Sequence, residues 1–193
     1  GLGDVYKRQV EQFDAQSDCG LRNIIVSTDP PYYDNIGYAD LSDFFYIWLR
    51  FSLKEIYPEL FGTLLVPKAE ELIADQYRHE GGTQGAKRFF EDGMLEACKQ
   101  IYKYVSDDYP VTIYYAYKQS ETDASTNSTA STGWETMLTA IIKAGFMITG
   151  TWPMRTERET GLKAHVNALA SSIVLVCRKR TENATQITRR QFV

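Results

Sequence analysis

The chain has 193 residues, 44% of them hydrophobic and 24% charged, which is typical of a globular protein with one sizeable core. Its formal net charge of −4 excludes the overall basicity of a protein that holds nucleic acid by phosphate contacts alone, so any such contact needs a local basic patch. No apolar run reaches the ~18 residues that span a bilayer and no secretory signal is recognised, so we expect a cytoplasmic location without membrane contact.

The cysteines and histidines do not have the spacing of a metal site. Cys19, Cys98 and Cys177 lie far apart, and His79 and His165 offer no ligand pattern. Free thiols are therefore expected, with Cys98 and Cys177 buried, and no metal.

The domain is expected to occupy residues 21–180. Residues 1–20 show no clear period and are predicted to be non-native or disordered, and residues 181–193 are predicted to form a fraying polar tail.

The first strong signal is the apolar run Asn-Ile-Ile-Val at residues 23–26. Its β-branched residues favour a buried strand, and Pro30 and Pro31 cannot donate ladder hydrogen bonds, so the strand is predicted to end at Asp29. The acid would then lie at the carboxyl end of a strand, which is where open α/β sheets bind ligands.

The tetrapeptide Asp-Pro-Pro-Tyr suits methylation of an exocyclic amino group on a nucleobase. Such a nitrogen is a weak nucleophile because its lone pair is delocalised into the ring, and it needs acceptors rather than a strong base. Asp29 and the carbonyl of Pro30 would accept the amino hydrogens, and Pro31 would shape the turn. Tyr32 would stack on the flipped base, worth about 1–3 kcal/mol, and Tyr33 would support it. A turn that merely ends the strand is the alternative interpretation.

The next elements are a turn, a helix and an insertion. Residues 34–38 are predicted to form a turn that folds over the base, and Asp40 is predicted to cap a helix over residues 41–56. Residues 57–86 are predicted to be an insertion whose mixed charges form either a solvated face or a DNA contact. The helix has apolar side chains expected to face the core: Leu41, Phe44, Phe45, Trp48, Leu49 and Ile56. The insertion and the residues after it supply the basic side chains Lys68, Arg78, His79, Lys87 and Arg88.

A strand–helix–strand pattern follows. A helix over residues 86–105 and a strand over 111–117 predict a parallel sheet with right-handed crossovers. Residues 119–131 are polar and of low complexity, and are expected to form a mobile loop. Thr132 then begins a helix through a capping box with Glu135.

Two final strands are predicted over residues 146–152 and 172–177, joined by a loop with a basic cluster. This cluster is expected to contact phosphates or to position the flipped base, with a solvated loop as the alternative. Its members are Arg155, Arg158, Lys163 and His165, of which the first three are assigned as substrate-binding residues.

Beyond the tetrapeptide, the chain resembles the amino-methylating DNA methyltransferases, and in particular large adenine-specific DNA methylases. The resemblance covers most of residues 21–180 and is carried by residues 29–45, 65–71, 114–120 and 151–157. It implies an α/β fold with a partial Rossmann-like methyltransferase sheet, mostly parallel with an antiparallel last strand. It also implies methyl transfer from S-adenosyl-L-methionine to N6 of adenine in DNA, because the form of the motif that begins with Asp usually acts on that atom.

The resemblance also implies a glycine-rich loop that holds the cofactor. No strand, loop and helix of that kind precedes Asp29, and the glycine-rich residues 81–85 follow polar residues. The chain is therefore expected to be the catalytic part of a larger enzyme whose cofactor-binding half lies before residue 1, and its own cofactor-binding residues stay unassigned. Two alternatives remain: a methyltransferase acting on RNA or on a protein amide, and a non-catalytic nucleic-acid-binding fragment.

Overall fold

A computed structural model describes residues 9–33, 36–117, 127–154, 171–181 and 183–184. They contain both helices and strands of one sheet, so the predicted α/β class is confirmed. The elements are β1 Ser27–Thr28, α1 Tyr38–Leu53, α2 Gly82–Tyr104, β2 Val111–Tyr117, α3 Asn127–Lys143, β3 Phe146–Met154 and β4 Ser171–Lys179. No described helix is both long enough and apolar enough to cross a membrane.

The strands form an open mixed sheet in the order β1-β2-β4-β3. β1 pairs parallel with β2, whereas β4 is antiparallel to both of its neighbours. β1, β2 and β3 therefore share one direction and only the last strand is reversed, as predicted. Because β4 lies between β2 and β3, however, only one ladder among the described strands is parallel and two are antiparallel, so the expectation of a mostly parallel sheet is wrong.

The first strand is shorter than predicted. Ile24 makes only an isolated parallel bridge to Val105, and Asn23 has a φ of 55°. The N–H of Ile24 donates a hydrogen bond of 3.1 Å to the carbonyl of Tyr104, and the carbonyl of Ile24 accepts one of 2.9 Å from the N–H of Ser106. Ile24 is thus bound to the end of α2 and the residues after it, and does not pair with β2. Regular pairing is thus confined to the two residues immediately before Asp29.

α2 and α3 pack against the sheet and form the core. Their apolar residues repeat at helical spacing and form one core with alternate residues of β2. Burial of each large side chain contributes roughly 1.5–3 kcal/mol to the free energy of unfolding. The fully buried side chains are Phe90, Val111, Met137, Ile141, Phe146, Leu175 and Cys177. Cys98 and Cys177 are free and buried, as predicted.

The expectation that α1 faces the core is wrong. Leu41, Phe44, Phe45 and Trp48 are each 65–66% exposed, and Ala39 is the buried residue of this helix. Leu49 and Ile56 are exposed as well, and Ile56 lies beyond the helix end at Leu53. The physical reason is that contacts hold the first turn of α1, while no described helix or strand lies alongside the rest of it.

Other helix boundaries also differ from the prediction. Gly37, not Asp40, precedes α1, because the carboxylate of Asp40 pairs with a side chain of the following segment. α3 begins at Asn127, so the end of the predicted loop 119–131 is helical and Thr132 lies inside the helix. Serine, threonine and alanine carry at most a modest helix penalty, so this composition does not prevent a helix.

Candidate functional site

The tetrapeptide directly follows β1, and its residues differ in exposure. Asp29 is exposed at the strand end, while Pro30, Pro31 and Tyr32 are partly buried. The next residue, Tyr33, is only 6% exposed, and its ring packs edge-on against Phe90 at 5.1 Å.

Tyr33 turns the chain away from the sheet. Its φ of 37° lies in the left-handed region, which costs a residue other than glycine roughly 1–3 kcal/mol. The carbonyl of Tyr33 accepts a hydrogen bond from the N–H of Ala74 at 2.9 Å. Together with the packing of the ring, this bond holds the strained conformation in place.

Asp29 and Tyr32 are bound to each other. The Tyr32 hydroxyl donates a hydrogen bond of 2.6 Å to Oδ1 of Asp29, while Oδ2 accepts none from any described residue. Burial, and then the bond to Asp29, raise the pKa of Tyr32 well above its usual range. Tyr32 is therefore a neutral donor at physiological pH, and its ring lies edge-on against Tyr115 at 5.6 Å.

A cavity of about 940 Å³ opens beside the tetrapeptide. Asp29, Pro30 and Pro31 form one part of the lining, and residues 12–16, 66–67 and 69–72 contribute to the rest. Residues 12–16 were expected to lie outside the fold, yet they close the cavity. Its volume falls within the ~300–1,000 Å³ that is usual for small-molecule sites.

The cavity is lined by apolar and acidic residues. α2 contributes the apolar residues Phe89, Met94, Ala97, Cys98 and Ile101. The acidic lining residues are Asp14, Asp29, Glu70 and Glu71, of which Glu71 is paired with Arg78, and none of the described lining residues is basic. This charge favours a neutral or cationic occupant over a phosphate.

Gly133 of α3 makes a close approach to the site that sequence reasoning missed. A Cβ at this position would lie 2.9 Å from the Tyr115 hydroxyl and 2.9 Å from Cβ of Tyr33. Because glycine lacks this atom, α3 can lie close to Tyr33, the residue that directly follows the motif. An isolated glycine inside a helical pattern was the available signal.

Glu71 and Arg78, in the predicted insertion, bind the start of α1. The Glu71 carboxylate accepts a hydrogen bond of 2.9 Å from the backbone N–H of Ala39 and one of 2.6 Å from the guanidinium of Arg78. Arg78 is also paired with Asp40, and with Asp75 at 3.1 Å. The bond to Glu71 is the main cause that raises the pKa of Arg78.

A second ion pair reinforces this attachment. Asp43 of α1 accepts 2.7 Å and 2.9 Å hydrogen bonds, from Lys68 and from the N–H of Val66. Arg78 and Lys68, considered above as DNA contacts, are therefore occupied by internal carboxylates. His79 stacks on Phe89 at 4.1 Å.

The clamp formed by Glu71 and Arg78 holds Ala39, which follows the first residue of α1, Tyr38. Burial, and then the charges of Asp29 and Glu71, raise the pKa of Tyr38.

The predicted substrate-binding residues Arg155, Arg158 and Lys163, together with His165, lie outside the described residues. Within the part of the chain that the structure describes, no group of histidine, cysteine or acidic residues could hold a metal ion.

Comparison with known proteins adds no relative: no family model, no curated protein and no solved structure matches the chain. The chemistry of the site must therefore be inferred from its own residues.

Proposed function

We propose that this chain is the catalytic part of a methyltransferase that transfers a methyl group from S-adenosyl-L-methionine to N6 of adenine in DNA. The observation that carries the proposal is the position of Asp29: an exposed carboxylate at a strand end, beside a large cavity, followed by two prolines. An Asp29 buried in the core, or remote from any cavity, would have been incompatible with this role.

The residues of the motif provide hydrogen-bond acceptors for an amine. The Asp29 carboxylate and the Pro30 carbonyl accept the two amino hydrogens, which localises the nitrogen lone pair away from the ring. In the transfer, the nitrogen would bond to the methyl carbon as the carbon–sulfur bond breaks and leaves a neutral thioether, and the surplus proton on nitrogen would pass to Asp29 or to water. Positioning supplies much of the acceleration, because the reaction needs alignment and no covalent enzyme intermediate.

The acidic cavity fits the charge of the proposed cofactor. When bound, S-adenosyl-L-methionine supplies a methyl group on a positively charged sulfur. Asp14 and Glu70 line the cavity and are the carboxylates that would stabilise this charge. The remaining cofactor contacts are assigned to the half that the resemblance places before residue 1.

The target base must leave the duplex to reach Asp29. Tyr32 offers an aromatic ring beside the acid, and stacking on it would replace part of the stacking energy lost on flipping. The acidic cavity repels phosphates, so phosphate contacts are left to Arg155, Arg158 and Lys163 as predicted from the sequence. The reversed last strand of the sheet also agrees with the resemblance.

Methylation by the full parent chain tests the proposal. The measurement is transfer of labelled methyl groups to DNA, RNA and protein, with the product nucleoside identified by mass spectrometry. Asp29→Ala should lower the rate by about 10²–10⁴-fold, the range for a positioned proton acceptor, while Asp92→Ala, an exposed acid on α2, should not. Undiminished activity of Asp29→Ala would refute the proposal.

The alternatives give different results in the same experiments. Label found in RNA or in glutamine side chains would replace the DNA substrate. Calorimetry with S-adenosyl-L-methionine separates the non-catalytic alternative: if neither this chain nor its parent binds the cofactor, a nucleic-acid-binding fragment is the better description.

A further inference from the structure

α1 is bound to the rest of the chain by its polar side. The Tyr46 hydroxyl donates a hydrogen bond of 3.1 Å to the carbonyl of Thr63, and Nε of Arg50 donates one of 2.8 Å to the same carbonyl. Asp43 binds the same segment through the ion pair described above. These three side chains recur at helical spacing, so they lie on one side of α1, its bound side. The arrangement reverses the usual one, in which a surface helix turns its apolar side towards the protein.

The opposite side of α1 forms an apolar face. Successive residues of a helix are rotated by about 100°, which places the members of this face away from Asp43, Tyr46 and Arg50. Each member is between 53% and 89% exposed, and none carries a charge. The α1 apolar face consists of Leu41, Phe44, Phe45, Ile47, Trp48 and Phe51.

The area of this face is comparable to one side of a protein interface. Its four aromatic residues are 65–89% exposed, so at about 150–250 Å² for each side chain they present about 400–700 Å² together. Leu41 and Ile47 add to this area. The largest apolar patch on a typical monomer is about 300–600 Å², and a standard interface takes about 800 Å² from each partner. Two copies of the face therefore provide most of the area that a stable dimer needs.

The lack of charge determines which partner fits. Nucleic acids and anionic membranes attract lysine and arginine side chains, and the α1 apolar face has neither. A charged protein surface would leave its own charges unpaired when it covered this face, which is costly. The matching surface is a second uncharged apolar face, and a second copy of this chain carries one.

The α1 apolar face also points away from the cavity. Val66 and Glu71 line the cavity, and both are bound to α1. The N–H of Val66 donates to Asp43 and Glu71 accepts from the N–H of Ala39, each at 2.9 Å. Ala39 and Asp43 lie on the bound side of the helix, opposite the apolar face. A cofactor-binding half that completed the cavity would therefore approach the bound side and leave the apolar face to another partner.

We infer that two copies of this chain form a symmetric dimer through the α1 apolar face. The two copies present the same residues to each other, with Trp48 near the middle of the interface. Central tryptophans are frequent hot spots, and two-fold dimers are the commonest assemblies of identical chains. This inference goes beyond methyl transfer and does not depend on it.

Sedimentation velocity of the full parent chain tests the dimer. At concentrations up to about 100 µM, well above the Kd of a micromolar complex, the wild type should sediment as a dimer. Trp48→Glu places like charges in both copies and should raise the Kd at least about 30-fold, the loss for one hot-spot residue. Phe51→Glu repeats the test at a residue that is 89% exposed and should also weaken the dimer.

Trp152→Glu is the matched control. Trp152 lies on β3 and is 67% exposed, and Trp48 is 66% exposed, so the same substitution is made at the same exposure outside the α1 apolar face. The control should leave the Kd unchanged. Circular dichroism of each variant should match the wild type, because no buried side chain is altered.

Each outcome supports or overturns the inference. A wild-type dimer that Trp48→Glu weakens and Trp152→Glu does not weaken supports it. A monomer at the highest concentration overturns it and shows that another part of the parent chain, or another protein, covers the face. An open-ended aggregate, a dimer that survives Trp48→Glu, or equal losses in both variants also overturn it. Methyl transfer is not measured in this experiment, so a negative result leaves the proposed function intact.

Discussion

Gly133→Ala tests the close approach of α3 to the end of the motif. The added methyl group would lie 2.9 Å from Cβ of Tyr33 and 2.9 Å from the Tyr115 hydroxyl, well inside the ~3.5–4.0 Å of a normal carbon contact. Tyr33 cannot retreat easily, because its ring packs on Phe90 and its carbonyl is bound to Ala74.

Two effects of opposite sign decide the result. Alanine in place of glycine inside a helix gains about 1 kcal/mol of helix propensity. Forcing a methyl group into a filled site costs about 1–3 kcal/mol. The clash should therefore prevail, and we expect a net loss of about 1 kcal/mol in the free energy of unfolding.

Urea unfolding followed by circular dichroism measures this loss. With the m-value usual for a small protein, 1 kcal/mol lowers the midpoint by about 0.5 M. Gly62→Ala is the matched control, since its Cβ would meet only the Pro58 carbonyl oxygen at 3.6 Å, and it should leave the midpoint unchanged or raise it slightly. A midpoint for Gly133→Ala equal to or above that of the wild type would show that α3 does not contact Tyr33 in solution.

Two further predictions concern titrating groups. Burial raises the pKa of Cys98 to about 12, whereas Cys19 is only partly buried. A thiol reagent at mildly alkaline pH should therefore modify Cys19 but not Cys98 in the folded protein, and should modify both in urea. Equal rates of modification of the two thiols in the folded protein would contradict the burial of Cys98. The hydrogen bond from Lys68 lowers the pKa of Asp43 from its usual 3.8, so the stability that this carboxylate adds is complete above that pH and is lost as the pH falls below it. The difference in urea midpoint between the wild type and Asp43→Asn should accordingly decrease on acidification. A difference that does not vary with pH would show that the ionisation of Asp43 does not contribute to stability.

Local signals predicted the sheet well. β2 matches the prediction because a dense run of β-branched and aromatic residues follows Pro110, which marks its start. Pro30 and Pro31 likewise placed the strand end at Asp29, since neither can donate to a ladder. Signals of this kind reside in adjacent residues, so a single sequence contains them.

Contacts between distant residues were not predictable. The apolar period of α1 identified a helix, but a period does not specify which surface covers it, and Phe44 and Trp48 proved exposed. The bond from Arg78 to Asp40 joins segments far apart in the chain, and a run of mixed charges gives no indication of its partners.

The hydrogen bond between the Tyr32 phenol and Asp29 has one more consequence. A carboxylate on an open strand end would ordinarily rotate, and each binding event would have to freeze it. Here the Tyr32 hydroxyl binds one oxygen and leaves the other without a hydrogen-bond partner among the described residues. The acid is thus preorganised before any base arrives, and the entropy of arranging it is lost during folding rather than during recognition.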